Sequence, residues 1–169
     1  MQHKYRVLAL VSLWVLHWAA IGQERVTYDT KLNAESLRTP AIFGSAKIAS
    51  GTPAKVAAVV LIHSAGGARD GTTGPLARAL NAGGIATLEL QLFDLPQERQ
   101  TADRDMARVF GALKMLAARP DVDPKRVGLA GFSYGAHFTL WAASQWSVSQ
   151  RFLHVFHWRA CQVVRSEQG

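Results

Sequence analysis

The stretch that decides the fold is Arg126-Val127-Gly128-Leu129-Ala130-Gly131-Phe132-Ser133-Tyr134-Gly135-Ala136. Its first half is short and apolar, as a buried strand is, and an apolar helix-like run from Ala136 to Trp146 follows. Between them stands G-x-S-x-G, with Ser133 at its centre. A serine on a sharp turn from strand to helix presents its hydroxyl at the end of a sheet. The turn closes only if the residues two places to either side carry almost no side chain. Gly131 and Gly135 meet that requirement. Ser133 is therefore the candidate nucleophile, and a nucleophilic serine needs a base, an orienting acid and donors for an oxyanion.

Outward from this stretch, the chain alternates between strand-like and helix-like segments. Lys55 to Ile62 is a continuous apolar, β-branched run, the pattern of a strand buried on both faces of a parallel sheet. It ends at His63-Ser64-Ala65-Gly66-Gly67, and a polar loop leads to Pro75, placed where a helix starts; Gly83-Gly84 stops that helix. Ile85 to Phe93 reads as the next strand, closed by Asp94-Leu95-Pro96. From Thr101 to Arg119 apolar residues recur at three- and four-residue steps, with Asp103 and Asp105 at the positive end of the helix dipole. Pro120 ends it, and Asp121-Val122-Asp123-Pro124 reads as a turn into the serine strand. Before Lys55 the signal is weaker. Arg25 to Tyr28 and Ala46 to Ile48 suggest edge strands, with Thr39-Pro40 and Gly51-Thr52-Pro53 as turns. Alternating strand and helix predicts an α/β, doubly wound, mostly parallel sheet, with its chemistry at the carboxyl ends of the strands. The loop after Ile62 and the turn at Ser133 both fall at those ends.

The composition excludes several classes. The 169 residues are 49% hydrophobic, enough for one domain with a core. The formal charge of +7 comes from 19 basic and 12 acidic residues that are scattered, with no basic run longer than Lys125-Arg126. No nucleic acid partner is expected from such a pattern. Residues 1 to 22 form a separate unit, with Lys4 and Arg6 before an apolar run from Val7 to Ile21 and small residues ahead of Gln23. They read as a signal peptide, leaving residues 23 to 169 as one domain that is expected to be secreted or periplasmic, with no membrane segment after cleavage. A signal anchor is the alternative, although the run is shorter than the roughly 20 residues of a spanning helix. Cys161 is the only cysteine, so no intrachain disulfide forms.

On these residues the chain resembles the α/β-hydrolases, and among them the secreted dienelactone-hydrolase-like proteins. The resemblance runs from about Val56 to Trp146. It is carried by His63-Ser64-Ala65-Gly66-Gly67, by Arg119 to Gly128 and by Gly131-Phe132-Ser133-Tyr134-Gly135. It implies a serine hydrolase acting on a small-molecule carboxylic ester or lactone, with Ser133 as nucleophile and no metal or organic cofactor. Dienelactone hydrolases proper carry cysteine at this position, so the serine points to their wider esterase-like relatives. The oxyanion would be held by the backbone N–H of Tyr134 and that of Ala65 or Ser64. The family's H-G-x-G is here His63-Ser64-Ala65-Gly66, a serine replacing a glycine. His63 is expected to orient the loop.

The resemblance departs after Ser133. The superfamily's order is serine, acid, histidine, each on a later loop. Only 36 residues follow Ser133, with no aspartate, one glutamate (Glu167) and the histidines His137, His154 and His157, none on a recognisable triad motif. Phe152 to Trp158 resembles the next core strand. The triad acid and base are expected to be missing, the chain reading as C-terminally truncated or as a shortened homologue with another purpose. An incomplete sheet would also expose an edge open to self-association. Two other classes stay in view. One is a catalytically inactive binding protein on the same scaffold. The other is a nucleotide site at Gly66 to Thr73, which spells G-x-x-x-x-G-T-T with Thr72 where the phosphate-binding lysine would stand.

Overall fold

The computed structural model describes residues 22–49, 55–93, 101–145 and 154–158. The signal-peptide reading, Gly51-Thr52-Pro53, Asp94, Cys161 and Glu167 lie outside the described residues. In chain order the elements are β1 (Gln23–Leu32), β2 (Glu35–Gly44), β3 (Val56–Ile62), α1 (Thr73–Ala82), β4 (Ala86–Leu90), α2 (Ala102–Ala117), β5 (Val122–Phe132), α3 (Tyr134–Gln145) and β6 (His154–Trp158). The strands form one six-stranded sheet in the order β1-β2-β4-β3-β5-β6. β1 and β2 are antiparallel to their neighbours, and β4, β3, β5 and β6 run parallel. This is the doubly wound α/β arrangement that the alternation predicts.

The position of the site follows from the winding. From β3 the chain moves to one side, through α1 to β4; from β4 it returns past β3, through α2 to β5, and continues through α3 to β6. Right-handed crossovers in opposite directions put their helices on opposite faces of a sheet. The packing agrees. Leu76, Ala77 and Leu80 of α1 meet Val59, Leu61 and Ala130 on one face. On the other face Met106, Val109, Leu113 and Leu116 of α2, with Phe138 and Ala142 of α3, cover Val60, Ile62, Leu88 and Leu129. Strand β3 contributes alternate residues to both faces, which is why its sequence is apolar throughout. The winding reverses between β3 and β5, and a crevice opens outside their carboxyl ends.

The weaker N-terminal expectations need correction. Thr39-Pro40 is not a turn but part of β2, and Ala46–Ile48 is not a strand. β1 and β2 form a hairpin whose connection places Asn33 at φ 56°. Pro40 is tolerated because it offers only its carbonyl, which accepts the Gln91 N–H at 3.1 Å. The expected turn at Asp121–Pro124 lies largely inside β5. Val56 pairs with Val122 but Ala58 with Val127, so residues 123–126 bulge outward, and Asp123 accepts the Lys125 N–H at 3.0 Å. Arg119 grips Asp121 with two bonds of 2.9 and 3.0 Å while lying 3.6 Å over the Phe43 ring, tying the end of α2 to β2.

Candidate active site

Strand β5 delivers Phe132 to the crevice, and helix α3 begins at Tyr134, so Ser133 alone turns the corner. It does so at φ 49°, in the left-handed region that a residue with a side chain enters only when its surroundings hold it there. The surroundings are backbone. Gly135 donates its N–H to the His63 carbonyl at 3.2 Å, and a Cβ on Gly135 would stand 2.8 Å from that oxygen. A Cβ on Gly131 would stand 2.6 Å from Thr139 Oγ1, besides meeting the Gly135 carbonyl. Helix α3 thus starts in direct contact with the end of β3, and Ser133 is exposed above the junction.

His63, fully buried at the end of β3, has both ring nitrogens engaged. Its Nε2 accepts the Leu92 N–H at 3.2 Å, so the proton is on Nδ1, which donates to the Ser64 carbonyl at 2.7 Å. The ring ties the loop after β3 to the segment after β4 and has no lone pair left for a serine. This is the orienting role expected of it.

The loop after β3 is organised by Asp70. Its carboxylate accepts from the Ser64 hydroxyl, from the Thr72 N–H at 2.8 Å and from the Thr72 hydroxyl at 2.6 Å. Ser64 Oγ also accepts the Gly66 N–H at 3.1 Å. The serine that replaces glycine in H-G-x-G therefore serves as a strut across the loop. The same bonds bear on the phosphate-loop pattern: the Thr72 N–H and hydroxyl are spent on the Asp70 carboxylate, whose charge opposes an anion, and the Gly66 and Gly67 N–H groups are taken by Ser64. Partial burial raises the Asp70 carboxyl, and the bonds from Ser64 and Thr72 outweigh it, so the group sits below its ordinary range. A depressed folded-state value means that these bonds stabilise the protein above the unfolded-state value of about 3.9 and are lost as pH falls through the folded value. An NMR titration of the Asp70 carboxyl carbon should give a midpoint below about 3.9; a midpoint at or above it would contradict this account.

Tyr134 is half-buried beneath the serine, its ring 5.1 Å from Phe93 and 4.8 Å from Phe138. Its hydroxyl donates to Asp105 Oδ2 at 2.7 Å. Burial first, then the bond to Asp105 and its charge, push the phenol upward, so it stays a donor at any physiological pH. Asp105 Oδ1 in turn meets Arg108 Nη1 at 3.0 Å, and both side chains are fully buried. Asp105 thus does more than face the helix dipole, as its place in the first turn suggests. The signal was available: Asp105, Arg108, Val109, Ala112, Leu113 and Leu116 share one helical stripe, and two opposite charges three residues apart within it form an internal pair.

The other candidates are less involved. His137, one turn into α3, is exposed; its ring stacks edge-on with Phe138 and Trp141, and its N–H bonds the Ser133 carbonyl at 3.2 Å. His154 and His157 lie on β6, in register with Gly128 and Gly131 of β5, so the described part of the expected strand from Phe152 to Trp158 continues the sheet, while Phe152 and Leu153 lie outside the described residues. Ala65 is exposed in the loop after β3, and among the described residues neither its amide nor that of Tyr134 finds an acceptor. The described residues also hold no group of three or more metal-ligating side chains and no helix long and apolar enough to cross a membrane.

No family model and no curated protein matches the sequence. Solved structures do. A dienelactone-hydrolase-like promiscuous phosphotriesterase from metagenomic libraries is similar over 73% of this chain at 23% identity, with a TM-score of 0.55. The α/β hydrolase GrgF from a Penicillium species covers 73% at 18% identity with a TM-score of 0.62. The esterase Est22 covers 73% at 18% identity with a TM-score of 0.60. The aligned part spans 54%, 42% and 38% of those three chains, respectively. At such identities the likeness is one of fold: the chain has the α/β-hydrolase fold, and its aligned part spans 38% to 54% of these neighbours' own length.

Proposed function

On the α/β-hydrolase fold, we propose that the protein is a serine hydrolase of the carboxylic ester or lactone type. The observation that carries this reading is Ser133, exposed at φ 49° between β5 and α3, outside the carboxyl ends of the strands where the winding reverses. In this reading Ser133 Oγ attacks the ester carbonyl, the tetrahedral intermediate collapses to an acyl-enzyme as the serine proton goes to the departing alcohol, and water then splits the acyl-enzyme to give the acid and restore the serine hydroxyl. The oxyanion is received by the amides of Tyr134 and Ala65, which is consistent with neither having an acceptor among the described residues. The substrate is a small molecule, and the esterase neighbours support that class. The leader pattern of residues 1 to 22 supports a secreted or periplasmic protein.

A second reading is favoured by the histidines. His63 has both nitrogens engaged, and His137 turns its ring to Phe138 and Trp141. On that ground the scaffold binds an ester-like ligand without turnover. One experiment separates the two. The full chain, expressed with its leader in a secreting host, is treated with a fluorophosphonate and its intact mass measured. The hydrolase reading expects one adduct that Ser133→Ala abolishes, on a chain beginning at Gln23. A folded protein that takes up no probe contradicts it and leaves binding without turnover.

A further inference from the structure

Ser133 is held at φ 49°, in the left-handed region that strains a residue with a side chain, so its neighbours must resist relaxation of the corner. Tyr134, the next residue, is gripped at three points. Phe93 and Phe138 flank its ring, and Asp105 takes its hydroxyl at 2.7 Å. Asp105 is itself fixed, since its N–H donates to the Thr101 carbonyl at 3.0 Å within the first turn of α2 and its other oxygen is held by Arg108. Arg108 belongs to a part of α2 anchored to the sheet, because the Tyr28 hydroxyl of β1 donates to its carbonyl at 2.9 Å. A wholly buried ion pair is often no more stabilising than apolar residues of the same volume, so its place is weak evidence of a role in stability. The geometry explains its place: one carboxylate oxygen is spent on Arg108 and the other on the residue that follows the nucleophile.

We propose that Asp105, held by Arg108, is a positioning residue that fixes the Tyr134 amide in line with the Ser133 hydroxyl. The inference rests on the hydrolase reading for its chemical meaning. Tyr134→Phe keeps the backbone N–H and the ring contacts and removes only the bond to Asp105. The rate of fluorophosphonate labelling should then fall roughly tenfold, a fraction of what a whole oxyanion donor supplies. The melting temperature should fall by only about 3 °C. Asp105→Asn should slow labelling too, and adding it to Tyr134→Phe should cost less than the product of the two single effects. A Tyr134→Phe labelling rate within twofold of the parent overturns the proposal. If the parent protein takes up no probe, the hydrolase reading fails separately, and amide hydrogen exchange of residues 132–136 decides. Faster exchange in Tyr134→Phe supports the positioning role, and unchanged exchange overturns it.

Discussion

Alanine at Gly135 lowers the stability of the protein by about 3 kcal/mol, an expected result that runs against helix propensity. Gly135 is the second residue of α3, and glycine to alanine in a helix ordinarily gains up to about 1 kcal/mol. Here the new methyl would sit 2.8 Å from the His63 carbonyl oxygen and from the Ile62 carbonyl carbon, both backbone atoms that no rotamer change can move. Either α3 lifts off β3 or the corner at Ser133 opens, and in both cases the bond from Gly135 N–H to His63 is lost. The steric term exceeds the propensity term, because overpacking against rigid neighbours costs about 1–3 kcal/mol or more. Gly74, also second in its helix, provides the control: a methyl there meets only Arg78 Nη1, at 3.4 Å. Urea unfolding should show a lower midpoint for Gly135→Ala and an unchanged or raised one for Gly74→Ala. Equal midpoints in the two variants would contradict the contact between α3 and β3.

Arg108→Met is expected to cost more, about 3–5 kcal/mol, out of the roughly 5–15 kcal/mol by which a domain is stable. The substitution preserves most of the side-chain volume but strands the Asp105 carboxylate, fully buried, with its Oδ1 partner gone. Removing both charges is a different matter. Asp105→Leu with Arg108→Met leaves no buried charge, only the Tyr134 hydroxyl without its acceptor, at about 1–3 kcal/mol; adding Tyr134→Phe removes that penalty as well. The expected order of stability is therefore the triple variant above the double and the double above Arg108→Met. Guanidinium unfolding checks it, and an Arg108→Met variant within about 1 kcal/mol of the parent would mean that the pair is not desolvated. The triple variant would also separate stability from chemistry, since by the positioning argument it should fold well and label slowly.

Local sequence signals specify the N-terminal strands least. Pro40 and the weak alternation around it suggested a turn, yet β2 runs through that position because the proline's only demand on the ladder is its carbonyl. Propensity is a local quantity, and a strand between two others is stabilised by partners far away in sequence. Asp121–Pro124 shows the reverse case. The turn chemistry is present, but the sheet absorbs it as a bulge because Val122 still pairs with Val56.

Much of the site was legible because its requirements are local. A serine at positive φ between a strand and a helix needs glycine on both sides, and G-x-S-x-G after an apolar run meets that need within five residues. The order of strands and helices likewise dictates the winding, and the winding dictates that the loops after β3 and β5 meet. What only the tertiary structure decided are the contacts between elements. These are the ring of His63 bridging to Leu92, the Ser64–Asp70 strut, and the buried Asp105–Arg108 pair reaching across from α2 to Tyr134. Asp105 and Arg108 pair at helical spacing, but the reach of that pair to Tyr134, like the other two contacts, has no periodicity or motif that specifies its partner. Each depends on three-dimensional distances between atoms 6 to 29 positions apart, which the packing of helices on the sheet sets.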